Sequence, residues 1–184
     1  WAGRAGPDGQ PFLKFIEQPH DGCLARTSNT LVREARGDIL VRLDGDIDCL
    51  TPNWVGRLTA LFDRMPEQVG VIGPKQLRRD GRVHAFGDWV LHPLGYHHVG
   101  TGLPRDAIRW PIEVDHVMGC FYCFRRAVWA SVGGFDENLL RGQTVDFGLM
   151  ARHAGWRAVA VPHIEFTHKH DERPARPTKA DTTR

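Results

Sequence analysis

Long apolar runs are what this sequence most lacks. Across its 184 residues no stretch approaches the ~20 consecutive apolar residues of a membrane helix, so a helical span within them is excluded. No signal-peptide pattern stands ahead of the first apolar stretch. Charge of one sign is missing too: the formal net charge is +2, which gives no argument for a nucleic-acid partner. Cysteine is scarce, with Cys23, Cys49, Cys120 and Cys123 the whole complement. Cys120 and Cys123 form one C-x-x-C pair, but no second pair stands at zinc-ribbon spacing, and this one lies inside the apolar run from Val117 to Phe124. The thiols therefore read as buried and structural, in a reducing compartment. A glycine-rich phosphate loop and internal repeats are also lacking, and the first of these absences argues against a nucleotidyltransferase.

What is present is the composition of an ordinary globular domain, 41% hydrophobic and 25% charged, in a chain long enough to bury a real core. One domain is expected over residues 1–170, followed by a polar tail over 171–184 that is rich in Pro, Arg and Thr and has no apolar face. The start at Trp1 rather than Met, and the polar, glycine-rich opening to Pro11, are expected of a piece of a longer protein.

The chain is organised around Ile39 to Asp48. An apolar strand stops at Asp44, Asp46 and Asp48, and a strand that delivers carboxylates at its C-terminal end is how open α/β sheets place ligands. Asp44 and Asp46 flank Gly45, so both can turn toward one point. Two carboxylates this close repel unless a cation sits between them, and oxygen ligands of this kind suit Mg²⁺ or Mn²⁺ together with substrate phosphates. A calcium-binding EF-hand loop is excluded, because Cys49 stands where its glycine belongs and Val55 where its bidentate Glu belongs.

Around this centre the periods predict alternating elements. Phe12 to Ile16 reads as a short strand and Cys23 to Ala35 as a helix stopped by Gly37. Thr51 and Pro52 read as the start of a second helix, with Thr51 as its cap and Val55, Leu58, Leu61, Phe62 and Met65 on one face. Val69 to Pro74 and Val83 to Phe86 are strands. Gly87 to Ile112 reads as a long loop on the acceptor side, whose histidines are ordinary loop polarity. Val114 to Phe124 returns to strand, Ala127 to Val132 and Thr144 to Ala154 are helices, and Arg157 to Val161 is a last strand before Pro162, His163, Glu165, His168 and His170.

Several of these features together resemble family 2 glycosyltransferases of the GT-A fold. They are Leu43-Asp44-Gly45-Asp46, Trp54, Gly73-Pro74-Lys75, Asp80-Gly81-Arg82, Gly119 with Arg125-Arg126, Gly133-Gly134-Phe135-Asp136-Glu137 and Ala154-Gly155-Trp156-Arg157. The likeness runs from about Pro19 to His170 and points to bacterial enzymes that build O-antigen, rhamnan and other cell-envelope polysaccharides. It implies a Rossmann-like, three-layer α/β domain with a mostly parallel central sheet carrying one antiparallel strand.

The implied chemistry is transfer of a sugar from a nucleotide-sugar to a hydroxyl of a glycan or lipid-linked acceptor, with inversion. Mn²⁺ or Mg²⁺ would be held by Asp44, Asp46 and His168. Gly119 and Arg125 would meet the donor, and Asp136 and Glu137 the acceptor. The expected location is cytoplasmic, with peripheral association at the inner membrane face.

Two positions depart from the resembled pattern. Where the family's helix begins with Glu-Asp, whose aspartate is the general base, this chain has Gln143 and Thr144, and neither is a competent base near neutral pH. Asp146 is the nearby carboxylate and the candidate base or acceptor ligand. The family's first strand and helix, which read the nucleotide base, would precede Phe12, where only eleven residues stand. Both departures also fit a glycosyltransferase-like domain that binds without turnover.

Overall fold

A computed structural model describes residues 6, 9, 13–18, 22–92, 95–139 and 141–169. In chain order its elements are α1 (Leu24–Glu34), β1 (Ile39–Leu43), β2 (Ile47–Cys49), α2 (Trp54–Arg64), β3 (Val69–Leu77), β4 (Val83–Ala85), β5 (Asp88–Leu91) and β6 (Gly95–His98). After a 3₁₀ turn (Arg105–Ala107) come β7 (Ile112–Val114), β8 (Phe121–Arg125), α3 (Arg126–Val132), α4 (Gln143–His153) and β9 (Arg157–His168).

Alternation along β8 fixes the layers. Phe121 and Cys123 face one side of the sheet, where they pack with Leu58 and Phe62 of α2 and Ile164 and Phe166 of β9. Tyr122 and Phe124 face the other, against Ala25 and Val32 of α1, Val128 of α3 and Phe147 and Ala151 of α4. Residues two apart on a strand share a face, so one five-residue strand feeds both cores. Each large apolar side chain buried here contributes roughly 1.5–3 kcal/mol. The expected three-layer α/β arrangement follows.

The main sheet runs β1-β8-β3-β9-β2, with β4 beside β3 and β7 beside β9. β1, β3 and β9 point the same way, but β8 lies antiparallel between β1 and β3, so among the described residues the one parallel hydrogen-bonded pair is β3 with β9. The short strands β2, β4 and β7 also run against their neighbours. The expectation of a single antiparallel strand therefore falls short. The extra ones are three-residue segments of loops folded back onto sheet edges, too short to carry a periodic signal.

Other expectations need correction at element ends. Residues 13–16 form no strand, and Phe12, His170 and the tail 171–184 lie outside the described residues. α1 stops at Ala35 in extended backbone, not at a left-handed Gly37. Thr51 does not cap α2. Asn53 holds that position with φ 52, while the Thr51 hydroxyl accepts from the Glu165 amide at 2.9 Å. The stretch from Gly87 to Ile112 is not one loop, since β5 and β6 form an antiparallel hairpin within it. The run Val114 to Phe124 is broken between β7 and β8. β9 continues past Pro162 to His168 because the pairing shifts there, from Val161 opposite Pro74 to Glu165 opposite Lys75, and such a bulge tolerates a proline. Gly133 (φ 81) and Gly155 (φ 91) end α3 and α4 as expected.

Candidate functional site

β1 ends one residue before Asp44, whose amide donates to the Cys120 carbonyl at 2.9 Å and so extends the β1 and β8 pairing to the first acid. The chain turns at Gly45 and Asp46 and re-enters the sheet as β2, where Ile47 pairs with His168 at the end of β9. That register places His168 Nε2 2.9 Å from Asp46 Oδ1, while the Lys169 amide donates to the Asp46 carbonyl at 2.9 Å. One ligand atom from each of Asp44, Asp46 and His168 lies within 4.8 Å of the others. Among the described residues no other three His, Cys, Asp or Glu side chains converge this way. Asp48 points elsewhere, toward Lys169 Nζ at 3.4 Å. Arg42 lies against the cluster, with one guanidinium nitrogen 2.9 Å from Asp44 Oδ1 and another donating to the Gly119 carbonyl.

A cleft of about 620 Å³ opens beside these groups, lined among others by Asp44, His168, Gly119, Thr144, His116 and Asp88. Gly119 lies flush against α4: a Cβ there would stand 2.6 Å from Thr144 Oγ1. Two carboxylates and an imidazole at one side of a polar cleft are a donor set for a divalent transition ion such as Mn²⁺, while the oxygen pair alone also suits Mg²⁺. The residues present fit the implied metal.

The back of the cleft holds an arrangement that sequence reasoning missed. Asp88, 1% exposed, accepts from His116 Nδ1 at 2.7 Å and His98 Nδ1 at 2.5 Å. A backbone bridge between Asp88 and His116 fixes the pair. Burial pushes the Asp88 carboxyl up, but the hydrogen bonds and charges of the two histidines outweigh it and hold the group below its ordinary value. The far nitrogen of His116 lies 3.3 Å from Thr144 Oγ1. Asp88, His98 and His116 stand 10 and 28 residues apart, and the hairpin that gathers them sits in a stretch whose periodicity is too weak to reveal it. The sole signal available was Asp88 directly after Gly87.

Other expected site residues lie elsewhere. Arg125 does not reach the cleft: its guanidinium donates to the carbonyls of Val69 (3.1 Å) and Phe62 (2.6 Å) and lies over the Phe62 ring, fastening the end of α2 to β3. An Arg at a helix C-terminus satisfies carbonyls that the helix leaves open. Arg126 does the same for α1. Glu137 is held by Asn29 and Arg26, and Asp136 closes a turn onto the Asn138 amide. Asp146 sits two residues beyond Thr144 on α4, about 200° around the helix, and does not line the cleft. Cys120 is buried, as read from sequence. Burial, helped by Asp44, pushes its thiol up to about 12.

Comparison with known proteins agrees with this architecture. The profile described as Glycosyltransferase like family 2 matches residues 13–182. The chain is 29% identical over 166 residues to the O-antigen biosynthesis protein RfbC of Myxococcus xanthus, covering 86% of this chain and 13% of that protein. It is 26% identical over 151 residues to the uncharacterized protein y4gI of Sinorhizobium fredii, covering 77% and 16%. The chain thus spans less than a fifth of either relative. Among solved structures, GalNAc-T7 with UDP, GalNAc and Mn²⁺ superposes with TM-score 0.64 at 16% identity, covering 83% of this chain and 31% of that one. The mannosyltransferase PcManGT of Pyrobaculum calidifontis, in complex with GDP-Man and Mn²⁺, gives 0.55 at 19% identity, covering 94% and 41%. At these identities the likeness shows the fold alone, which is GT-A.

Proposed function

The chain belongs to the glycosyltransferase-like family 2, and from that premise we propose that it moves a sugar from a nucleotide-sugar to a hydroxyl of a glycan or lipid-linked acceptor, with a divalent metal and with inversion. The observation that carries this reading is the convergence of Asp44, Asp46 and His168 within 4.8 Å at the side of a cleft backed by Gly119. RfbC's role in O-antigen biosynthesis supports a surface polysaccharide as the product class. UDP with Mn²⁺ in GalNAc-T7, and GDP-Man with Mn²⁺ in PcManGT, support a nucleotide-sugar donor and a divalent ion.

Asp44, Asp46 and His168 would hold the metal, Mn²⁺ by preference because an imidazole completes the set. Bound there, it supplies positive charge for the departing diphosphate, where the transition state needs it. Gly119 lines the cleft and lets α4 approach the end of β8 closely, since a side chain there would meet Thr144. Arg42 orients Asp44 and ties the Gly119 carbonyl to β1. Attack by the acceptor oxygen from the face opposite the diphosphate inverts the sugar carbon. A lipid-linked acceptor sets this work at the inner membrane face, with the chain associated peripherally. No helix among the described residues is long and apolar enough to cross a membrane.

Calorimetry with UDP, GDP and dTDP, with and without Mn²⁺, tests the reading on the chain and on its Asp44→Ala, Asp46→Ala double variant. Metal-dependent binding that disappears in the variant supports it and identifies the nucleotide. Absence of binding to all three by the folded protein overturns it, and leaves a domain that binds something other than a nucleotide-sugar.

A further inference from the structure

The helix that borders the cleft begins with Gln143 and Thr144, and the carboxylate nearest in sequence, Asp146, lies off the cleft wall. A hydroxyl acceptor still has to lose its proton. We infer that Asp88, His116 and Thr144 form the proton relay that takes it, with Thr144 Oγ touching the acceptor and His116 receiving the proton behind it. This rests on the transferase reading above and deepens it.

Three features of the geometry carry the inference. Ionised Asp88 can only accept, so the hydrogen bond at 2.7 Å puts the ring proton of neutral His116 on Nδ1. The lone pair of Nε2 then faces Thr144 Oγ1 at 3.3 Å, a separation that can shorten when substrate closes the site. Thr144 in turn sits against Gly119 on the cleft wall, 2.6 Å from where a Cβ would stand. Carboxylate, imidazole and hydroxyl thus follow one another from the buried end of the cleft to its surface. This order suits an imidazolium that is formed and stabilised during the reaction.

The step balances. The acceptor oxygen bonds to the sugar carbon as the bond from that carbon to the diphosphate oxygen breaks, and its electron pair leaves with the diphosphate. The acceptor proton passes to Thr144 Oγ while the hydroxyl proton of Thr144 passes to His116 Nε2. The resulting imidazolium keeps its Nδ1–H on Asp88. Around it stand His98, which shares Asp88; Asp115, which accepts from the Val90 amide and pairs with Arg152; and Tyr122, whose ring centroid is 6.0 Å away.

The test uses the full chain with Mn²⁺ and UDP-glucose, UDP-N-acetylglucosamine, GDP-mannose or dTDP-rhamnose. It reads diphosphate release with water as acceptor, beside calorimetric binding of the free nucleotides. Thr144→Val, nearly isosteric, and His116→Gln are expected to lower kcat by roughly 10²–10⁴-fold, with KM for the donor and nucleotide binding little changed. Thr144→Ser, which keeps the hydroxyl, restores the larger part of the rate lost in Thr144→Val. A Thr144→Val variant with wild-type kcat overturns the relay. So does a wild type that binds nucleotide with metal yet releases no diphosphate. Absence of metal-dependent nucleotide binding by the wild type overturns the transferase reading itself, so the two failures are distinguishable.

Discussion

His168 Nε2 lies 2.9 Å from Asp46 Oδ1 across 122 residues of sequence, and the pairing of Ile47 with His168 is what brings them together. A contact created by strand register, with a second carboxylate close by, is expected to behave as one ligand set. His168→Ala therefore weakens Mn²⁺-dependent nucleotide binding by roughly tenfold or more, and His168→Asp, by making the set all-oxygen, shifts preference from Mn²⁺ toward Mg²⁺. Calorimetric titration with each metal measures both. Equal Mn²⁺ affinity in wild type and His168→Ala removes His168 from the set.

Arg126 donates to the carbonyls of Val32 (3.2 Å), Ala35 (2.8 Å) and Gly37 (2.9 Å). It is the closure of α1, the role expected of Gly37. Arg126→Ala leaves these acceptors to water and is expected to cost about 2 kcal/mol. In urea the midpoint falls with the slope unchanged. Arg126→Lys recovers little, because one ammonium cannot span three carbonyls with a planar fork. Full recovery by Lys would mean that charge near the helix end, not the fork, is what matters.

Gly119→Ala is predicted to destabilise the fold by about 1–3 kcal/mol, since its Cβ would stand 2.6 Å from Thr144 Oγ1. Adding Thr144→Ala removes the colliding atom, so the double variant should regain most of the thermal midpoint. It should regain none of the turnover. Thermal melts of the two single variants and the double form the cycle.

The acids at the end of β1 were legible because an apolar strand that stops at carboxylates is a local pattern, and Trp54, Gly133 and Gly155 were legible as helix boundaries for the same reason. His168 was placed by the resemblance, and its geometry comes from β9 running past Pro162. Arg125 donates to the carbonyls of Val69 and Phe62, and an Arg beside a strand end looks the same in sequence whether it meets phosphate or a helix carbonyl. Asp88 and His116 stayed hidden because no local pattern beyond Gly87 before Asp88 marks them. Their meeting depends on a hairpin whose strands have four residues each, and on a bridge between segments that periodicity does not join.

Glu165 sits where β9 resumes after its bulge, 2.8 Å from buried Lys75 Nζ and 2.5 Å from the Arg105 guanidinium. Lys75 also donates to the Arg105 carbonyl at 2.8 Å, so one carboxylate fastens the 3₁₀ turn to the two central strands. Burial pushes the Glu165 carboxyl up, but hydrogen bonds from Arg105 and Lys75, with their charges, hold it below its ordinary value. A depressed carboxyl contributes stability that is complete above its unfolded pKa, ~4.3, and is lost as pH falls through the lower folded value. Glu165→Gln should therefore lower the thermal midpoint most near neutral pH and progressively less as pH drops below about 4. Lys75 is 3% exposed, so taking away its carboxylate leaves a buried ammonium with the Arg105 carbonyl and a neutral amide. The cost near neutral pH is expected to be roughly 3 kcal/mol. Lys75→Met together with Glu165→Gln should cost less than the sum of the single changes, because the second substitution no longer strands a charge. A strictly additive pair would mean that the two side chains are held by their surroundings and not by each other.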